Sequence, residues 1–247
     1  MTDRPKIALV TGGSRGIGAR TAVTLARQGW DVAISYRERA DVAEDVVDEC
    51  RGQGRRAVAV RADIASAADI AGLFTKVDRE LEAITGLVNN AGIVPTGGVV
   101  ADYTPDRLEK LFAINVTGAF LAAREAVQRM STSRGGSGGV IVNMSSRAAV
   151  LGGSGEYVDY AASKAALDAL TIGLAREVAE QGIRVVGVRP GLIATEIHAP
   201  GRLERLGSSP PLGRPGDPQE VANAVAWLIS DEASYVTGAT LDVSGGR

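Results

Sequence analysis

Tyr160 and Lys164 stand four residues apart in a run that reads as helix, so both side chains fall on one helix face. That pairing has a chemical use. A free tyrosine, with a pKa of about 10, is a poor acid–base catalyst near neutrality. A neighbouring ammonium favours the phenolate and brings the hydroxyl towards working pH. The phenol can then give a proton to a carbonyl oxygen or take one back from an alcohol. Tyr157 lies just upstream, but Ala161 stands four residues after it, so it lacks the lysine partner. The oxygen of a substrate also needs a second donor, and Ser145 and Ser146 stand at the end of the strand before this helix. Asn115 draws notice for another reason: it sits inside a helical pattern, where its side chain competes for the backbone. A solvent-facing position is the plain alternative for it.

A second group of residues is built for phosphate. Thr11-Gly12-Gly13-Ser14-Arg15-Gly16-Ile17-Gly18 lies between the first strand and the first helix. Glycine allows positive φ and a close backbone approach. The helix start beyond it offers free N–H groups and a positive dipole end to a pyrophosphate. The spacing differs from G-x-G-x-x-G, so a plain glycine-rich turn stays open on this motif alone. Other chemistries find little support. His198 is the only histidine, which argues against both a Ser-His-Asp arrangement and a zinc site. Cys50 is the only cysteine, so no internal disulfide forms, and it reads as a free structural thiol.

The elements that must position these residues alternate. Strands are expected at Ile7–Val10, Asp31–Ser35, Ala57–Arg61, Leu87–Asn89, Val140–Met144, Ile183–Val188 and Thr240–Val243. Helices are expected from Gly18 to Gln28, Asp41 to Arg51, about Ser66 to Leu81, Thr104-Pro105 to about Met130, Asp159 to Glu180 and Pro218 to Ile229. The strands are nearly continuous apolar runs, as when both faces of a sheet are covered. This pattern predicts an α/β fold, a parallel sheet of about seven strands with helices on both faces. No domain boundary stands out in 1–247; the Gly/Ser stretch 131–139 falls within the alternation and reads as a surface loop. The proline-rich stretch from Thr195 to Gly216 lacks periodicity, and loops that long inside a domain are often lids or binding loops.

Composition narrows the rest. The 247 residues carry a formal net charge of −2, so no global field favours nucleic acid or an anionic membrane. No apolar run reaches the ~20 residues of a membrane span. MTDRPKIALV lacks a signal-peptide apolar region, which fits a cytosolic enzyme.

TGGSRGIG resembles the cofactor loop of the short-chain dehydrogenase/reductase family, and three further segments agree in the family's order: Asn89-Asn90-Ala91-Gly92, Tyr160-Ala-Ala-Ser-Lys164 and Arg189-Pro190-Gly191. The resemblance covers essentially the whole chain and is greatest for 3-oxoacyl-thioester reductases and glucose-dehydrogenase-like members. It implies a single-domain, Rossmann-type, doubly wound sheet and hydride transfer between a nicotinamide cofactor and a carbonyl/alcohol pair. Tyr160 would then be the proton donor or acceptor, assisted by a cationic nicotinamide ring as well as by the lysine. Lys164 would also bond the nicotinamide ribose, and Asn115 would hold a water in a proton relay. The family alignment makes Ser146 the catalytic serine and leaves Ser145 beside the cofactor. The separation of Ser146 from Tyr160, fourteen positions, is one more than is usual in the family, which keeps Ser145 open. The resemblance also implies that Gly12, Ser14, Arg15, Gly16, Ile17 and Gly18 hold the cofactor phosphates, that Asp63 contacts the adenine and that the backbone of Asn89, Ala91 and Gly92 lines the groove. For Asp63 a helix cap is the plain alternative. Pro190, Gly191, Ile193 and Thr195 would border the nicotinamide, with the loop 195–216 covering the substrate.

The cofactor's identity turns on the end of the second strand. Counting ~20 residues past the last glycine reaches Glu38, which would point to NAD(H). The resemblance places the deciding positions at Tyr36 and Arg37, neither acidic. With Arg15 in the phosphate loop, Arg37 could grip a 2′-phosphate, so NADP(H) is expected over NAD(H). The helix bearing Tyr160 carries apolar residues around more than one stripe, including Ala162, Ala166, Leu167 and Leu170. A homotetramer or homodimer is expected from this and from the family's habit. Two alternatives stand beside ketone or 3-oxoacyl-thioester reduction. One is a glucose-type sugar dehydrogenase. The other is a catalytically silent dinucleotide-sensing protein, whose expected signature, a broken tyrosine–lysine pair, is not found here. The loop's Leu203, Leu206, Pro210, Pro211 and Leu212 mildly favour an apolar ligand, while its Arg202, Glu204 and Arg205 could bind polar groups or simply face solvent.

Overall fold

Successive residues of a strand point to opposite faces, and here both faces are apolar. In β1 (Ile7–Val10), Ala8 and Val10 join one core cluster and Ile7 and Leu9 the other. The computed structural model, which describes residues 5–197 and 201–247, extends this to every strand but the last, where Leu241 and Asp242 are exposed. With β2 (Asp31–Tyr36), β3 (Ala57–Arg61), β4 (Gly86–Asn89), β5 (Gly139–Met144), β6 (Ile183–Pro190) and β7 (Thr240–Val243), it forms seven parallel strands in the order β3–β2–β1–β4–β5–β6–β7. The first core lies under α1 (Gly16–Arg27), α2 (Ala40–Arg51) and, further along the chain, the helix Pro218–Ile229. The second lies under α3 (Ala67–Leu81) and two later helices, residues 118–130 and 158–178. Each fully buried large side chain, such as Phe74 or Leu87, contributes about 2–3 kcal/mol. The single-domain, doubly wound expectation holds.

The order reverses between β1 and β4. In such sheets ligands bind at the carboxyl ends of the strands beside that switch. The glycine loop leaves β1 there, and Asn89–Gly92 leaves β4 there.

Three local differences from expectation bear on the site. The long helix after Thr104 is α4 (Pro105–Phe112) and α5 (Gly118–Met130) joined by a π-helical turn, Ala113–Thr117, that contains Asn115. A widened turn removes the conflict that an asparagine creates in an α-helical interior, and such turns recur at functional sites. A short helix α6 (Ala148–Leu151) follows β5, and α7 (Val158–Val178) carries Tyr160 and Lys164. The stretch 195–216 is not wholly irregular, since it includes α8 (Arg202–Leu206); α9 (Pro218–Ile229) follows, capped by Asp217 with Glu220. Among the described residues no helix is long and apolar enough to cross a membrane.

Candidate active site

The glycine loop is held by close packing. Gly12 and Gly16 have φ of +63° and +54°, the left-handed region that favours glycine. A Cβ on Gly18 would come within 2.5 Å of the Gly12 carbonyl oxygen and 2.6 Å of Asn90 Nδ2. Arg15, the residue before α1, makes no capping bond through its side chain, so the helix start is open. Thr11 Oγ1 accepts from the backbone N–H groups of Asn90 (2.9 Å) and Ala91 (3.0 Å), and Asn90 Nδ2 donates to the carbonyls of Thr11 (2.9 Å) and Gly12 (3.1 Å). Asn90 thus stitches the two loops that flank the switch point.

Asn89 faces the other way. Its side chain is buried, donating to the Ala119 carbonyl (2.8 Å) and to Asn143 Oδ1 (3.3 Å); Asn143 in turn donates to Thr171 on α7 (3.0 Å). Its side chain ties β4 and β5 to α5 and α7. Asn90 and Gly92 line the cleft.

That cleft, of about 540 Å³, runs from Ile17 at the start of α1 to Tyr160 and Lys164 on α7. Ser145, Ser146, Pro190, Gly191, Ile193 and Thr195 line it too. Gly191 is held against the end of β7: its N–H donates to Val243 O (2.9 Å), and a Cβ there would meet Ser244 Cα at 2.7 Å. Thr195 sits over Gly16. Val94, Leu151, Tyr157, Leu192, Ile197 and Leu206 add a largely apolar wall, and Arg147, Ser154, Glu156 and Arg247 add polar and charged groups at its rim. The ring of Tyr157 stands edge-on to that of Tyr160, with centroids 5.6 Å apart. The segment between Ser146 and Tyr160 is made of α6 and a turn with three glycines of positive φ, Gly152, Gly153 and Gly155.

The two serines have different partners. Ser146 is hydrogen-bonded to Tyr160, and its Oγ accepts from Ala148 N–H (3.1 Å). Ser145 Oγ donates to the Lys164 carbonyl (3.0 Å). Lys164 is buried, and its Nζ donates to the Met144 carbonyl (2.7 Å), 5.8 Å from the Tyr160 ring centroid. Asn115 is fully buried: Oδ1 accepts from Ile93 N–H (2.9 Å), and Nδ2 donates to Ile93 O (3.0 Å) and Ser163 Oγ (3.1 Å). Its Oδ1 and Lys164 Nζ both crowd Gly92, so the π turn brings Asn115 beside the lysine. The solvent-facing alternative for Asn115 is excluded.

Burial sets the electrostatics. It pushes the Tyr160 phenol up to about 12, against a smaller lowering by the Ser146 bond; Tyr157 adds to the rise. Burial also brings the Lys164 ammonium down to about 8, partly opposed by the charge of Asp168. Within the protein itself, then, the lysine does not lower the tyrosine as the helix spacing predicts. Desolvation is the larger effect.

The charged candidates lie apart from the catalytic end. Arg37 Nε is 3.4 Å from Asp63 Oδ2 and 3.7 Å from Glu38 Oε1, and exposed Arg15 is 3.8 Å from Glu196. Each arginine thus rests on a carboxylate. Asp63 is not the cap of α3; Ser66 is, and Asp63 Oδ1 accepts from Ala65 N–H (2.9 Å) in the turn before it. Cys50 is buried, its thiol pushed up to about 12 by burial, as a structural residue should be. His198 lies outside the described residues. Among those residues no group of His, Cys, Asp and Glu could hold a metal.

Sequence reasoning missed one anchor of the site altogether. Arg107 on α4 is paired with Asp159, the residue before Tyr160, at 2.7 Å; Asp159 is almost fully buried. Arg107 also donates to the Thr96 carbonyl (2.7 Å) and lies over the Tyr103 ring. Burial pushes Asp159 up, but Arg107 and the Tyr160 N–H outweigh it and hold the carboxyl below its ordinary value. No local signal marks a pair 52 residues apart.

A family model described as "Enoyl-(Acyl carrier protein) reductase" matches residues 12–247. Relatives include the uncharacterized oxidoreductase YgfF of Escherichia coli (strain K12), 51% identical over 245 residues, covering 98% of this chain and 99% of that protein. The 3-oxoacyl-[acyl-carrier-protein] reductase FabG of Staphylococcus aureus is 36% identical, covering 98% and 97%. An L-rhamnose 1-dehydrogenase (NAD(P)(+)) of Sphingomonas is 38% identical, covering 98% and 95%. Among solved structures, a short chain dehydrogenase from Burkholderia cenocepacia in complex with NADP superposes with a TM-score of 0.91 at 36% identity, covering 98% of each chain.

Proposed function

The chain belongs to the short-chain dehydrogenase/reductase family, and from that premise we propose that it is an NADP(H)-dependent oxidoreductase that reduces a ketone or a 3-oxoacyl thioester to the secondary alcohol. One observation carries this: the Tyr160 phenol, bonded to Ser146 and one turn from Lys164, faces a single cleft whose far end is the open start of α1. Gly12 and Ser14–Gly18 would hold the pyrophosphate, Asn90–Gly92 and Pro190–Thr195 would border the nicotinamide, and Asp63 would meet the adenine. Arg15 and Arg37 would exchange their carboxylate contacts for a 2′-phosphate.

Bound NADPH would supply the hydride. Tyr160 holds the proton that the carbonyl oxygen needs, and a phenol pushed up to about 12 keeps that proton at neutral pH. This favours reduction over alcohol oxidation, which needs the phenolate first. Ser146 donates a second hydrogen bond to the same oxygen. Lys164 orients the ribose, and Asn115 holds the Ile93 segment against the lysine, with acceptor capacity left at Oδ1 for the relay water. The loop 195–216, through Ile197 and Leu206, covers the substrate.

The apolar wall formed by Val94, Leu151, Leu192, Ile197 and Leu206 supports a ketone with an apolar arm. Sugar oxidation is the second reading, favoured by the likeness to the rhamnose dehydrogenase. Two separate sets of exposed apolar side chains support a homotetramer: Phe112, Phe120 and Ile172 on α4, α5 and α7, and Trp227, Tyr235 and Leu241 near α9 and β7. A cytosolic location accords with this chemistry.

NADPH and NADH consumption, followed across ketones, β-ketoacyl thioesters and aldoses in both directions, tests the reading. Ketone or thioester reduction with a preference for NADPH is expected. Turnover confined to aldoses would replace it with the sugar reading, and a clear NADH preference would remove the role given to Arg37.

A further inference from the structure

A charged ladder runs behind the cleft, and none of the chemistry above uses it. Asp168 lies on α7 one turn after Lys164, buried. Its Oδ2 accepts from Arg189 Nε at 2.9 Å, Arg189 Nη1 is 3.4 Å from Asp242 Oδ1, and Asp242 Oδ2 accepts from Arg147 Nη1 at 2.6 Å. Each member adjoins a candidate catalytic segment. Arg147 follows Ser146 in the chain, and its N–H donates to the Pro190 carbonyl (3.0 Å). Arg189 precedes Pro190 and Gly191, which line the cleft. Asp242 is on β7, against which Gly191 is pressed. The ladder has equal positive and negative charge, so it adds no net attraction for an anionic substrate, although Arg147 borders the cleft.

Its cost points to a use. Replacing a buried ion pair by apolar residues is often neutral or stabilising, so such a pair is weak evidence for stability alone. Here Asp168 Oδ1 and Arg147 Nε are buried without a hydrogen-bond partner among the described residues. Asp168 therefore keeps an acceptor oxygen unsatisfied, one turn from a buried ammonium.

We propose that Asp168–Arg189–Asp242–Arg147 is a positioning ladder: it locks the lysine-bearing turn of α7 to the strand ends that carry Ser146 and Pro190, and Asp168 is the counter-charge that keeps Lys164 protonated. This rests on the oxidoreductase reading for its catalytic consequence, not for its electrostatic one. The charged and titratable groups around Lys164 are Tyr160 and Asp168 on α7 and, through the ladder, Arg189, Asp242 and Arg147; Asn115 on the π turn is neutral. Asp168 is the one whose charge favours the ammonium.

The test has two arms. The chain has four lysines, so 13Cε-lysine NMR of the full protein resolves Lys164, assigned by its loss in Lys164→Met. In Asp168→Asn, and in the apolar pair Asp168→Leu with Arg189→Met, the Lys164 midpoint should fall by roughly one pH unit, while Lys6, Lys76 and Lys110 stay put. The apolar pair should melt near the wild type yet show kcat lowered about tenfold to a hundredfold. An unmoved Lys164 midpoint overturns the counter-charge role. A wild-type kcat in the apolar pair overturns the positioning role. If the wild-type chain reduces no carbonyl in the panel, it is the reduction reading that fails, and the NMR arm still decides the role of Asp168.

Discussion

Ser145 and Ser146 are adjacent in sequence but have different partners: one bonds a backbone carbonyl, the other the phenol of Tyr160. Ser146→Ala should therefore lower kcat by about a hundredfold, the usual effect of removing one donor to a developing oxyanion. Ser145→Ala should cost far less, because it leaves the phenol's partner in place; steady-state rates reversing that order would exchange the two assignments. The pH profile follows from Lys164. An ammonium brought down to about 8 is present below that value and lost as pH rises through it. Tyr160, held near 12, does not titrate in that window. The reduction rate should accordingly fall as pH rises past about 8, and a profile flat well into the alkaline range would contradict the lysine's role.

The element scale is where packing decides. Because a Cβ on Gly18 would strike both the Gly12 carbonyl and Asn90, Gly18→Ala should weaken NADPH binding at least tenfold, or about 1.4 kcal/mol, by fluorescence titration. Arg107 holds the start of α7, and Arg107→Met would leave Asp159 buried and unpaired, at a cost of about 3 kcal/mol in chemical denaturation. The sign with pH is fixed by Asp159. Its carboxyl is held below the ordinary value, so the stabilisation is complete above about 4 and is lost as pH falls below that. The deficit of the variant should shrink in acid, and a constant deficit would locate it elsewhere. Much of this scale was legible beforehand. The seven strands, the glycine loop and the Thr104, Ser66 and Asp217 helix starts carry local signals in apolar runs, turn residues and caps. The π turn did not show itself as one, because apolar periodicity does not separate a π turn from a turn of α-helix, although Asn115 marked the spot. The opposite directions of the Asn89 and Asn90 side chains were hidden too. Consecutive residues at a strand end point opposite ways, and the motif alone does not say which way. Arg107–Asp159 and the Arg37–Asp63 contact depend on tertiary proximity, which spacing does not encode.

For the whole molecule, the order of strands brings the glycine loop and Asn89–Gly92 to the β1–β4 switch, and Ser145 and Ser146 to the same edge of the sheet at the end of β5. The apolar side chains left exposed on α4, α5 and α7 belong to the same scale. Phe120→Asp with Ile172→Asp should reduce the assembly seen by light scattering at micromolar concentration, and a wild-type chain that is already monomeric would refute the oligomer. The central claim is that Tyr160 supplies the proton while the rest of the cleft binds NADPH. The most direct measurement is NADPH binding and carbonyl turnover in Tyr160→Phe, side by side with the wild type. NADPH should bind as before and turnover should vanish; a variant that retains the full rate would contradict the account.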